Sequence, residues 1–513
     1  MSRWRRFSLA PPPPGSTSRG EGSAVDARPE RTPIAHRLAF GMGMGAEGIA
    51  NTVINSFAMF YYNQVLGLSA TLAGLAMTVG ILLDGIIDPL IGSLSDRSTS
   101  RLGRRRSFIL IAALPAGLCL IALFNPPPGL PSLGLFAWFT ATIICLRVFV
   151  SLFQVPLLAL GGELSANYLE RSRIMASGVL AGVIGMAVAG FVALSVFLHG
   201  TPRYAQGLFN PDGYRGLSIA TAGVVVLLLA GCLFGTRGAL AARTAPSNIS
   251  RQRLGTIGSN FLGDFWMALR NRNYLFLLLG LFVISFMTGV RNSLTVYVNT
   301  YFWGLTSEEF RWFSIWNLIS AIFCLIGTRQ LHQWIGKRMA MVWSTLLAGL
   351  LVAAPVVLKL TGIFPASHSE AWLPLQLVFS AAATGALATL SATALSAIAD
   401  IADENEIRFG IRQEGVLYAA RTFFSKVDTA IGALVAGELL TVIGFKPGMT
   451  ATTAPAGSID VLAIIVGPLA ILPALVAAVF YGQFSITAAV HERIRTARRT
   501  TNNEPPPENL TGA

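Results

Sequence analysis

The sequence predicts an all-α membrane protein with about twelve transmembrane helices in two six-helix bundles. Three observations predict it. Apolar residues make up 53% of the 513-residue chain and charged residues 12%, where soluble domains carry roughly 25% charged residues. The apolar residues fall in long blocks, and a helix needs about 20 of them to cross roughly 30 Å of hydrocarbon. The basic residues gather in alternate loops between the blocks. The blocks lack the alternating polarity of a transmembrane barrel, so helices are the remaining way to span the bilayer.

The first six blocks lie near 38–62, 69–94, 107–125, 132–160, 174–198 and 217–235. The second six lie near 274–302, 312–328, 337–360, 372–399, 414–444 and 459–485. If the chain starts inside, nearly all the basic loops face the same side. These hold Arg3 to Arg37 before the first block, Arg97 to Arg106 after the second, and Arg171 and Arg173 after the fourth. Arg237 to Arg272 follow the sixth block, Lys337 and Arg338 the eighth, Arg408 and Arg412 the tenth, and Arg493 to Arg499 the last. The opposite loops hold few, such as Arg203, Arg215 and Lys446. This pattern places both termini in the cytoplasm, and a bacterial cytoplasmic (inner) membrane is expected. It also accounts for the net charge of +13 without a nucleic-acid partner.

Residues 1–35 read as a disordered cytoplasmic tail, 36–236 as the N-terminal bundle and 237–272 as a cytoplasmic linker. Residues 273–487 read as the C-terminal bundle and 488–513 as a second disordered tail. Within the linker, Phe261 to Arg270 is amphipathic and is expected to lie on the membrane surface. Two echoes link the halves: Arg101-Leu-Gly-Arg-Arg-Arg106 with Trp334-Ile-Gly-Lys-Arg338, and Glu163–Arg173 with Asp403–Glu414. Repeated halves with a site between them are a common transporter plan. Trp303, Trp312 and Trp372 sit near block ends and read as interfacial anchors.

Ionisable residues inside the hydrocarbon are costly and usually work in an internal cavity. Asp84 and Asp88, four residues apart in the second block, share one helix face. Two such carboxylates need a proton or a metal cation nearby. They are the candidate cation site, with the Ser151 hydroxyl of the fourth block, and the coupling ion is H⁺ or Na⁺. Few side-chain oxygens surround them in the sequence, which favours H⁺ slightly. Lys426 lies mid-way along the eleventh block, with Asp84, Asp88 or the nearby Asp428 as candidate counter-charges. Arg147 and Arg291 are deep in the fourth and seventh blocks and need a carboxylate or an anionic ligand. Glu47, Asp84 and Asp88 are candidate partners. Gln154 lies on the Arg147 face. Arg147, Gln154, Arg291, Tyr418 and Lys426 form the candidate substrate set. Asp96, Arg97, Arg101, Arg105, Asp403 and Arg412 border the basic loops and read as a gate, with ion pairs between bundles.

The run Asp84-x-x-x-Asp88-Pro-x-x-Gly-x-x-Ser-Asp96-Arg97, followed by Arg101-x-Gly-Arg-Arg-Arg, resembles the glycoside-pentoside-hexuronide:cation symporters of the major facilitator superfamily. Tyr61-Tyr62, Ala399-Asp400-Ile-Ala-Asp403, Gly410-Ile-Arg412-Gln-Glu414-Gly415, Tyr418 and Lys426 extend the likeness over about residues 36 to 490. The resemblance implies a major facilitator fold with alternating access, Asp84 and Asp88 as cation-site acids and Lys426 facing them. It implies cation-coupled symport of a sugar, sugar acid or similar small solute. Departures are Gln154 in place of a sugar-binding acid, Leu158 in place of a tryptophan, Val179 near an arginine position, and Ile87 in place of an amide. With the additional Arg147 and Arg291, they make an acidic substrate as plausible as a neutral sugar. A lipid or lysolipid transporter or flippase on the same fold is the alternative.

An integral membrane enzyme would need a nucleophile, base or metal cluster, and the five histidines and four cysteines are scattered singly. No enzyme activity and no cofactor beyond the coupling ion is expected. The expected partners are a small solute and membrane lipids, and the expected state is a monomer.

Overall fold

The computed structural model describes residues 33–98, 100, 103–165, 168–237, 270–409, 414–449 and 453–485. Most of the two tails and of the linker, with residues 261–269 of the amphipathic segment, lies outside them, as do Arg101 and Arg412.

Each half begins in the same way. Helix α1 (Ile34–Phe60) widens into a π turn over Tyr61–Val65, and helix α7 (Arg272–Tyr297) does the same over Val298–Phe302. The turn after α1 is closed by Leu66 N donating to Tyr61 O and Leu68 N to Tyr62 O; after α7, Trp303 N donates to Val298 O and Leu305 N to Asn299 O. Gly67 (φ +86°) and Gly304 (φ +66°) then turn the chain through the left-handed region, which glycine enters without steric cost. Ser69 caps helix α2 (Ala70–Arg97), and Thr306 with Glu309 forms a capping box on the next helix of the second half.

The first half continues with α3 (Arg106–Leu123), α4 (Ser132–Glu163), α5 (Tyr168–Val192) and α6 (Pro211–Gly235). In the second half, the stretch Ser307–Leu360 breaks at Gly336, whose φ of +73° and ψ of 164° are not helical. It is therefore two helices, α8 (307–335) and α9 (337–360). Gly103, in the matching loop of the first half, is also left-handed, with φ +100°. The sequence echo around these glycines thus marks a structural repeat. Helix α10 (Trp372–Phe409), helix α11 (Glu414–Val442) and a bent α12 (Ala456–Val466 and Ile471–Gly482) complete the described chain.

Among the described residues, nine stretches are long and apolar enough to cross a membrane, one of them the α8–α9 pair. Helices α1 and α11 fall short of that measure because they carry polar residues, among them Glu47 and Asn55 in α1 and Arg421, Lys426 and Asp428 in α11.

Inside the first half α1 packs on α5 and α6, and α3 on α4 and α6; inside the second, α7 packs on α11 and α12, and α8–α9 on α10. The halves meet through α2 against α11, α8 against α5 and α1 against α7. The first two contacts exchange equivalent helices, as a pseudo-twofold repeat requires. At the face opposite the basic loops the halves are tightly joined. Tyr297 donates to Asn63 Oδ1 at 3.0 Å and Tyr301 to Gln64 Oε1 at 2.9 Å. Gly74 of α2 meets Gly437 of α11 so closely that a Cβ at Gly74 would lie 2.8 Å from the Ala433 carbonyl oxygen.

Trp303 and Trp372 depart from the anchor reading. They are 5% and 1% exposed, packed under Phe364 and His368 respectively, whereas Trp312 is 40% exposed. A position near a block end sets depth in the bilayer but not which face the ring takes.

Candidate functional site

Four helices bring polar groups together mid-membrane. Helix α2 contributes Asp84 and Asp88 on one face, and helix α4 contributes Arg147, Ser151 and Gln154, also on one face. Helix α1 adds Glu47 and Asn55, spaced near two turns, and α11 adds Lys426.

Asp84 is buried at 7% exposure and fully engaged. Its Oδ1 accepts from the Ser151 hydroxyl at 3.0 Å, and its Oδ2 lies 3.2 Å from Arg147 Nη1. The other arm of the Arg147 guanidinium donates to Asn55 Oδ1 at 2.7 Å. Lys426 binds Asp88 through Oδ2 and stands 3.8 Å from Asp84 Oδ2. Oδ1 of Asp88 is buried and has no hydrogen-bond partner among the described residues. Gln154 donates to Glu47 Oε1. The sequence offered Glu47 as a partner for Arg147; the fold gives it to Gln154.

Three carboxylates (Glu47, Asp84, Asp88) therefore share the cluster with two fixed cations (Arg147, Lys426). With all of them ionised, one negative charge is left over. A single monovalent cation neutralises it. The Lys426–Asp88 pair joins the two halves, because α2 belongs to the first and α11 to the second.

Arg291 and Tyr418 stand apart from this cluster. Arg291 points into the interior of the second half, where it lines a cavity with Thr295, Asn299 and residues of α8, α9, α10 and α12. The Tyr418 hydroxyl donates to the Leu395 carbonyl at 3.0 Å, and its ring packs on the core at the basic end of the second half. Both placements have one cause: position along a helix was legible, but rotation about its axis was not. Asp428 also turns away from Lys426. It is 1% exposed and lines a small cavity with Arg421.

At the basic end, the observed ion pairs hold each half together. Arg105 bridges Asp96 and Glu163 and donates to Ser95 Oγ at 2.6 Å, all in the first half. Lys337 reaches Asp400 at 2.6 Å inside the second half. In this conformation Arg105 pairs within one half and not between the two. Arg97 and Asp403 lie at the same end and are both engaged.

A family model described as "MFS/sugar transport protein" matches residues 39–488. The chain belongs to this family. It has the major facilitator fold and is an integral membrane transporter, not an enzyme. It is similar to the uncharacterized symporter YnaJ of Bacillus subtilis (strain 168), 26% identical over 87% of this chain and 91% of the relative. It is also similar to the isoprimeverose transporter of Lactiplantibacillus pentosus, 23% identical over 80% of this chain and 81% of that one. Among solved structures, a mutant of the nucleoside transporter NupG superposes with a TM-score of 0.63 at 12% identity, over 87% of this chain and 99% of that one. At that identity the likeness supports the fold alone.

Proposed function

We propose that the chain is a cation-coupled symporter for a sugar, sugar acid or similar small polar solute, working by alternating access in a bacterial inner membrane. The observation that carries this reading is the Lys426–Asp88 pair, in which a fixed cation from one half occupies a carboxylate of the other. A coupling cation competes with Lys426 for the same carboxylate. When H⁺ or Na⁺ takes Asp88, beside the Oδ1 left free, Lys426 is released and the contact between halves loosens. Asp84, held by Ser151 and Arg147, orients the site. Gln154, Arg147, Asn55 and the freed Lys426 supply donors for hydroxyl or acidic groups of the solute. The names of similar proteins, a symporter and a transporter of isoprimeverose, agree with this reading.

The basic face is the cytoplasmic one in this proposal, because positive loops stay inside. The sealed opposite face then makes this an inward-facing conformation. Asp96, Arg97, Arg101, Arg105, Asp403 and Arg412 form the inner gate, where pairs within each half exchange for pairs between halves as the gate closes. The transporter works as a monomer.

The test is uptake by the purified protein in ATP-free proteoliposomes, with imposed Na⁺ or pH gradients and a panel of neutral and acidic sugars. Accumulation that collapses when the gradient is dissipated supports symport. If each solute that crosses merely equilibrates whatever the gradient, the proposal fails.

A further inference from the structure

The second half holds a cavity with one polar side that the coupling site does not use. It measures about 150 Å³, is partly open, and is lined by α7, α8, α9, α10 and α12. On α7, Arg291, Thr295 and Asn299 line it at successive turns, and on α10 Gln376 and Ser380 do the same. The Arg291 guanidinium makes no ion pair or hydrogen bond among the described residues, and no carboxylate lines the cavity. Gln376 is 5% exposed, and its Nε2 is buried with no hydrogen-bond partner among the described residues. Asn317 Oδ1 accepts from the Ser380 hydroxyl at 3.1 Å, which leaves the Asn317 amide NH₂ as a donor facing the same space.

One part of the wall thus gathers donors around one uncompensated positive charge, and the rest, including Phe310, Phe313, Val352 and Phe379, is apolar. Arginine cannot discharge in place, so a half-buried guanidinium with no protein partner favours an anion beside it. Its planar fork suits two oxygens of a carboxylate or sulfonate. A cavity of roughly 150 Å³ admits a molecule of about benzene's size.

We propose that this cavity is a binding site for a small organic monoanion, a carboxylate or sulfonate, held by Arg291 with Gln376 and Asn317 as further donors. It is separate from the Asp84–Asp88–Lys426 cluster: it lies within one half, not between the two, and shares no residue with that cluster. The proposal goes beyond the symport reading and stands whether or not transport is coupled.

The test is binding to the purified full-length protein in detergent with no gradient present. Thermal unfolding is followed against acetate and methanesulfonate at constant ionic strength. Chloride, which is no sugar acid and has no pair of oxygens for the guanidinium fork, serves as the balancing anion; acetamide and dimethyl sulfone are the neutral controls. Binding of radiolabelled acetate gives the stoichiometry. The expected result is a saturable rise in Tm with acetate or methanesulfonate and none with the neutral controls. The rise should vanish in Arg291→Gln and require at least tenfold more anion in Gln376→Leu. Absence of any anion-specific rise in the wild type overturns the proposal, as does an undiminished rise in Arg291→Gln. If Arg291→Gln does not fold, Gln376→Leu decides, and wild-type anion affinity there overturns it too. Arg291→Gln should also leave the unliganded protein at least as stable as wild type, since it removes a charge without breaking a pair.

Discussion

Asp88→Asn is the most direct perturbation of the coupling cluster. The amide is nearly isosteric with the carboxylate, but it carries no charge and releases Lys426 from its main partner. The carboxylate that the proposal gives to the coupling cation is then gone, so no cation can take it in competition with Lys426. Lys426 keeps only Asp84, 3.8 Å away, an attraction on the order of 4 kcal/mol at an effective dielectric of 20. That is enough to hold the lysine near α2 and keep the helices packed. The consequence is quantitative. One monovalent cation moved down a tenfold gradient at zero membrane potential supplies about 1.4 kcal/mol, which sustains about tenfold accumulation of the solute. The wild type should approach that ratio in proteoliposomes with the potential clamped. Asp88→Asn should fall to a ratio of about one while still exchanging labelled for unlabelled solute. Adding about 100 mV, inside negative, contributes roughly 2.3 kcal/mol per net charge moved. It should therefore raise wild-type accumulation of a neutral solute and leave that of a monoanion unchanged. Tenfold accumulation by Asp88→Asn would refute the assignment of this carboxylate to the cation.

Three further outcomes separate the roles within the cluster and the fold. Ser151→Ala removes the hydroxyl that donates to Asp84 at 3.0 Å. A hydrogen bond to a charged group is worth about 1.5–3 kcal/mol, so half-saturation by the coupling cation should shift by about tenfold or more; an unchanged cation dependence of uptake would place the cation elsewhere. Glu47→Gln removes the leftover charge but leaves the Asp88 carboxylate and its Lys426 pair intact, so if Asp88 takes the cation, gradient-driven accumulation should survive at saturating cation, with half-saturation moved to higher concentration; its loss at saturating cation would move the cation to the Glu47–Gln154 pair. Gly74→Val inserts side-chain atoms where a Cβ alone would lie 2.8 Å from the Ala433 carbonyl oxygen and 3.1 Å from the Gly437 Cα. It should keep the face opposite the basic loops open, so that a membrane-impermeant thiol reagent labels an introduced Asn63→Cys far faster than in the Gly74 background. Equal labelling rates would mean that the α2–α11 approach is not what seals that face.

The fold was legible because lipid imposes a simple rule: each crossing needs a block of apolar residues, and each block here became a helix. The exceptions carry information. Glu47 and Asn55 lower the apolar character of α1, as Arg421, Lys426 and Asp428 lower that of α11, and both helices line the coupling cluster. Asp84 and Asp88 were legible as a pair because a spacing of four fixes their relative direction regardless of how α2 is turned. Asn55 was not, although a spacing of eight from Glu47 puts both on one face of α1; a neutral amide carries little cost in a helix and draws no attention by charge.

Arg291 shows where the reading of single helices ends. Its depth in α7 was readable, but the direction of its side chain was set elsewhere. Gly289, two residues earlier, packs against Asp428, Thr429 and Gly432 of α11, and Tyr297, six residues later, reaches Asn63 of the first half. Those two contacts fix the rotation of α7, with Gly289 on α11 and Tyr297 against the first half. Arg291 then faces inward with Thr295 and Asn299, away from Asp84 and Asp88. An arginine forced there by packing alone would be a poor choice, since a leucine would fill the space without the desolvation cost. Its presence beside an unpartnered Gln376 amide is what a site for an anion requires and what a purely structural interior does not.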